Sequence, residues 1–89
     1  MARYKVSSEW SPALQNAEYF APFVIEEAHI VDTQNGQEYV YGARRVVDSR
    51  TGKPAKTGKG GTVPFFGESA WSDAERLASD LALKVRYAR

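Results

Sequence analysis

Two strand-like stretches, separated by only four residues, decide most of what this chain can become. "FVIEEAHIVD" (23–32) and "QEYVYGARRVVD" (37–48) are rich in β-branched and aromatic residues and flank "TQNG" (33–36). Runs of that composition bounded by turn residues form strands, and so short a connection returns the second antiparallel to the first. The turn then echoes itself: "VDTQNGQ" (31–37) and "VDSRTGK" (47–53) share the frame Val-Asp-Ser/Thr-x-Asn/Thr-Gly, offset by sixteen residues. Aspartate accepts hydrogen bonds from loop amides, and glycine supplies the left-handed conformation that closes a four-residue turn. Both segments read as hairpin tips, which predicts a meander of three antiparallel strands, the last short and beginning at Lys53. A sixteen-residue offset is too short for a solenoid unit.

Within the first strand the apolar positions change phase. Phe23 and Ile25 share one parity, Ala28 and Ile30 the other, with Glu26 and Glu27 between them. A β-bulge at the two glutamates would reconcile the halves and splay their side chains outward. In the second strand Tyr39, Tyr41 and Ala43 lie on one face, and Val40, Gly42 and Val46 on the other. Upstream, "RYKVSS" (3–8) alternates charged and apolar residues as a short edge strand does. "SPALQNAEY" (11–19) predicts one helical turn, with Ser11 as cap and Pro12 at the first helical position. Ala21-Pro22 bars its extension.

The C-terminus reads as a helix over 72–87. Ser72-Asp73-Ala74-Glu75 has the spacing of a capping box. Asp73 and Glu75 suit the positive end of the helix dipole, and Lys84 and Arg86 the negative end. Ala74, Leu77, Ala78, Leu81, Val85 and Ala88 form one apolar stripe, so Trp71, Leu77, Leu81 and Val85 are expected in the core. Leu83 and Tyr87 fall on the opposite side and are candidates for contact with a partner. The chain has 89 residues, 43% of them apolar and none cysteine, enough for one modest core without disulfides. The expected fold is one α+β domain over 1–89: an antiparallel meander of three or four strands over 3–66, with the helix on one face.

Charge is segregated along the chain. Between Val6 and Ala43 there is no lysine or arginine, while Glu9, Glu18, Glu26, Glu27, Asp32 and Glu38 contribute −6. From Arg44 to Lys59 the cations Arg44, Arg45, Arg50, Lys53, Lys56 and Lys59 stand against Asp48 alone, giving +5. Such blocks either steer partners through the local field or offset each other across a sheet. Within the basic block, "TGKPAKTGKGGT" (51–62) suggests a phosphate cradle. However, a Walker loop needs Gly, four residues and Gly-Lys-Ser/Thr, followed by a helix. Here five residues separate Gly52 from Gly58-Lys59, Gly60 replaces the hydroxyl residue, and Val63-Pro64 stand where the helix should begin. A basic loop remains, with Tyr39, Tyr41, Phe65 and Phe66 as stacking surfaces, so Arg44, Arg45, Arg50, Lys53, Lys56 and Lys59 are the candidate nucleic-acid contacts. The pI of about 8.0 lies below the usual footprint of such proteins.

Catalysis finds little footing. His29 is the only histidine and lies in a strand, with no cysteine or second histidine to complete a metal site or a nucleophile-base pair. Adjacent Glu26 and Glu27 point to opposite faces of a regular strand and make no acid-base pair. The sequence therefore predicts a protein that is not an enzyme and uses no cofactor. With neither a signal-like stretch nor an apolar run long enough to cross a bilayer, it is expected to be cytoplasmic and away from membranes.

The "VDTQNGQ"/"VDSRTGK" hairpins and the helix "SDAERLASDLALKV" give a layout that resembles short phage- or plasmid-borne proteins, including anti-CRISPR-type inhibitors. The resemblance implies a compact module that binds a larger protein or ribonucleoprotein machine and inhibits or modulates it; a homodimer is a further option. On the residues alone, Glu26, Glu27, Asp32 and Glu38 are candidate acidic contacts for such a partner. Tyr39 and Tyr41 are candidate anchors, and Leu83 and Tyr87 a second surface.

Overall fold

The structure is a computed structural model and describes residues 4–57 and 61–88. It is an α+β domain: an antiparallel sheet with one C-terminal helix on one face. In chain order the strands are β1 (Tyr4–Val6), β2 (Ser11–Pro12), β3 (Phe23–Gln34), β4 (Gln37–Asp48), β5 (Lys53–Pro54) and β6 (Phe65–Phe66). A 3₁₀ turn spans Glu18–Phe20, and helix α1 spans Ala70–Tyr87. β1 and β2 both pair with β3, while β5 and β6 both pair with β4. The sheet is therefore one long hairpin with short strands clipped to its flanks.

That hairpin is more regular than its sequence pattern. β3 and β4 pair in unbroken register from Phe23↔Asp48 to Gln34↔Gln37, so there is no bulge at Glu26 and Glu27. The phase change has another cause. At the body end, α1 covers the face carrying Phe23, Ile25 and Val46. Further along, the buried residues Ala28, Ile30 and Ala43 lie on the opposite face, where Ile30 stands between Val6 of β1 and Tyr41 of β4. Burial changes sides while the strand stays straight.

The two turns also differ from each other. The second is the expected four-residue loop: the Asp48 carboxylate accepts from the Arg50 amide at 2.9 Å, and Gly52 has φ +74°. The first is tighter. Asn35 (φ 51°) and Gly36 (φ 78°) alone connect the strands, the Asn-Gly pair that primed hairpin turns demand. Thr33 and Gln34 are thereby drawn into β3, opposite Glu38 and Gln37.

Two helical expectations are revised. Ser11 and Pro12 form β2 against Glu27 and Glu26, and Asn16 then takes the place of a sheet rung by bonding both the amide and the carbonyl of Ile25 at 2.8 Å. Helix α1 begins at Ala70, so Ser72 and Glu75 lie inside it and form no capping box; Ser69 precedes it without a side-chain cap bond. The earlier start adds Ala70 to a row with Ala74, Ala78 and Ala82, all at most 2% exposed. This row is the buried line of the helix. Trp71, Leu77, Leu81 and Val85 are half-buried along its flanks, and Ala88 is exposed. With small side chains at the contact, α1 lies close against the sheet, and Phe20 fills the remaining volume at 0% exposure.

Candidate interaction surface

The unbroken register sorts the candidate residues onto two faces. Glu26, Asp32, Tyr39 and Tyr41 share one face of the hairpin; Glu27, Glu38, His29 and Val40 share the other. The four carboxylates are therefore split in pairs and do not make one continuous acidic surface.

Near the body, the acidic and basic blocks meet as cross-strand neighbours. Glu26 stands opposite Arg45 and Glu27 opposite Arg44. Arg45 donates through Nε to Glu26 Oε1 at 2.8 Å, its Nη2 lies at the same distance from that oxygen, and its guanidinium lies 4.5 Å from the centre of the Trp10 ring. Trp10 thus caps the pair with a cation–π contact. On the other face Arg44 Nη2 lies 3.2 Å from Glu27 Oε2, and Nη1 donates to the Ala43 carbonyl. The Arg44 side chain runs back alongside Gly42, where a Cβ would stand 3.8 Å from Nη1, at ordinary contact distance. Arg44 Nε is buried without a hydrogen-bond partner. The pair borders an open depression of about 360 Å³ that also includes Ser8, Ser11 and His29. Ser8 Oγ accepts from the His29 backbone amide at 2.9 Å, an arrangement that ties the 7–8 segment to β3.

The basic block is partly spent inside the protein. Arg44 and Arg45 are paired as above, and Arg50 forms a two-bond contact with Asp48 at 2.9–3.0 Å. Lys53 and Lys56 are left exposed, with no carboxylate partner among the described residues; Lys59 lies outside the described residues. The Arg50 side-chain hydrogen bond, with the Arg50 amide, holds the Asp48 carboxyl below its ordinary 3.8. Because the folded value is depressed, this stabilisation is present above pH 3.8 and is lost as pH falls through the folded value. An NMR titration should find Asp48 among the last carboxyls to protonate, and Arg50→Ala should return it toward the ordinary value.

The far half of the hairpin, beyond the helix, has a different character. Residues 33–42 are all exposed, and three of them are large and apolar: Tyr39 at 41%, Val40 at 64% and Tyr41 at 36%. Tyr39 Oη donates to Gln37 Oε1, and Asp32 accepts from Gln34 Nε2. Glu38 is exposed opposite Thr33. Leu83 (46%) and Tyr87 (77%) are exposed on the outer side of α1, as their spacing predicts.

The free edge of the sheet is not among the sites expected from sequence. β6 pairs with β4 only at Ala43 and Arg44, and β5 only at Val47 and Asp48. Among the described residues no strand pairs with the outer edge of β4 over 37–41. A signal was present in strand lengths: nothing downstream of residue 48 carries a strand-like run long enough to pair with all of "QEYVYGARRVVD". Nor do the described residues contain a cluster of three or more metal-ligating side chains, or a helix long and apolar enough to cross a membrane. Comparison with protein families, curated proteins and solved structures finds no match for this chain.

Proposed function

We propose that this protein is a non-catalytic interaction module whose contact element is the far half of the β3–β4 hairpin. Its partner is a larger protein or nucleoprotein machine that it inhibits or modulates, in the manner of the anti-CRISPR-type proteins its layout resembles. One observation carries the reading: Tyr39 and Tyr41 on one face and Val40 on the other are all exposed, next to a strand edge that is unpaired among the described residues and beyond the reach of the helix. Aromatic anchors of this kind dominate the binding energy of small interfaces, while rim charges tune association. Glu38 and Asp32 supply that rim, one on each face. Glu26 and Glu27 act instead as cross-links of the body, since each already holds an arginine.

Nucleic-acid binding is the weaker alternative, because three of the block's cations are neutralised by carboxylates of the same chain. The test is capture from cell lysate followed by association kinetics on the captured species. Tyr41→Ala should speed dissociation at least tenfold, as expected for a hot-spot aromatic, and Glu38→Lys should slow association. Retention of wild-type kinetics by both variants would exclude the arm. Loss of binding in Lys53→Glu/Lys56→Glu, with a steep salt dependence, would favour nucleic acid.

A further inference from the structure

We propose that two copies of this chain pair through the free edge of β4, antiparallel about a twofold axis at Tyr39, forming one continuous sheet. The free stretch, residues 37–41, is bounded by the Asn35-Gly36 turn on one side and by β6 at Ala43 on the other. Its outward backbone groups are identified by those already in use. The Gly42 carbonyl accepts from the Gly67 amide, and the Val46 carbonyl from the Ala55 amide, so even-numbered residues of β4 face away from β3. Glu38 and Val40 share that parity and present their amides and carbonyls to the open edge.

Those groups select the register. With Val40 on the axis, Glu38 would pair with the Gly42 position, which β6 and Gly67 already occupy. With Tyr39 on the axis, Glu38 of one copy pairs with Val40 of the other, twice over, giving four backbone hydrogen bonds and using only open groups. Gln37 then faces Tyr41, and the two Tyr39 side chains meet at the close, non-hydrogen-bonded position. The pairing spans all five free residues and brings each copy's turn level with Gly42 of the other, where the body begins. Glu38 faces Val40 and not its own copy, so no like charges are set opposite each other.

Apart from the single charge of Glu38, the edge also lacks the features that keep such strands apart. Residues 37–42, "QEYVYG", contain no proline and no lysine, and pair without a bulge. Antiparallel pairing of identical edges is closed, so it stops at the dimer.

Sedimentation velocity on the full chain, from micromolar to millimolar concentration, should show a monomer–dimer equilibrium. Val40→Glu sets a new carboxylate against Glu38 at two symmetric positions and should weaken the dimer roughly three- to tenfold. Val40→Lys sets opposite charges there and should leave the dimer as strong or stronger. In this cysteine-free chain, the Tyr39→Cys variant should cross-link rapidly on oxidation, because non-hydrogen-bonded pairs lie within disulfide range, while Val40→Cys should not. Both positions are exposed, and circular dichroism checks that each variant folds. A chain that stays monomeric throughout overturns the proposal. So does a Val40→Lys variant that weakens the dimer as much as Val40→Glu, or a Val40→Cys variant that cross-links faster than Tyr39→Cys. The proposal rests on the same exposed arm as the partner reading but requires no partner. A monomeric result therefore leaves the capture experiment to decide that reading separately.

Discussion

Phe20→Ala should lower the unfolding free energy by roughly 3–5 kcal/mol. Phe20 sits in the 3₁₀ turn at 0% exposure, among Ala13, Phe23, Ile25, Val46 and the alanines of α1, with the Tyr19 ring edge-on at 4.6 Å. Truncation removes the whole phenyl ring from a site walled in large part by alanine. Short side chains cannot reach into the space, so the cavity persists and its cost adds to the lost burial. For a domain this small, whose total stability is on the order of 5–10 kcal/mol, the variant is left close to unfolding. Urea denaturation should show a much lower midpoint with an unchanged slope. A midpoint within experimental scatter of the wild type would place Phe20 outside the core.

Ala78→Leu should destabilise by about 1–3 kcal/mol, for the opposite reason. Ala70, Ala74, Ala78 and Ala82 lie in a row of i, i+4 neighbours, and Ala78 has no exposed surface. The helix is seated at the distance alanine allows, so three added carbons must displace either α1 or the Ile25–Val46 surface beneath it. Leu81→Ala, on the half-buried flank, should cost less, about 1–2 kcal/mol, because much of that side chain still meets water. Thermal melts that rank Leu81→Ala as the more damaging change would mean that the leucine stripe and not the alanine row faces the sheet.

The parts of this fold that are local in cause are legible in the sequence. The strand runs 23–32 and 37–48 announce themselves by composition, the Asp48–Gly52 loop by its aspartate and glycine, and the helix by its period. What is not legible depends on which surface another element happens to cover. The Glu26-Glu27 phase change resembles a bulge because periodicity records burial without recording which face is buried. Ser11-Pro12 has the local chemistry of a helix start, yet the edge of β3 captures it as a strand. The capping-box spacing at Ser72 is real but is overridden by burial of Ala70 and Trp71 just ahead of it. Among the candidate contacts, the exposure of Leu83 and Tyr87 follows from helical spacing. The pairing of Glu26 and Glu27 with Arg45 and Arg44 follows only once register is known. Trp10 over Arg45 has no signal in sequence at all, since it joins a residue just ahead of β2, beside β3, to one on β4 across the hairpin.

Both functional readings require that the outer edge of β4 be open in the isolated chain. Amide hydrogen exchange, followed residue by residue at low protein concentration, tests this directly. Within one five-residue stretch the amides alternate in fate: those of Tyr39 and Tyr41 are bonded to β3, while those of Glu38 and Val40 face outward. The expected result is strong protection at Tyr39 and Tyr41, with near-unprotected exchange at Glu38 and Val40 that slows as concentration rises. Equal protection of all four amides at dilution would show the edge already covered, and would contradict the account.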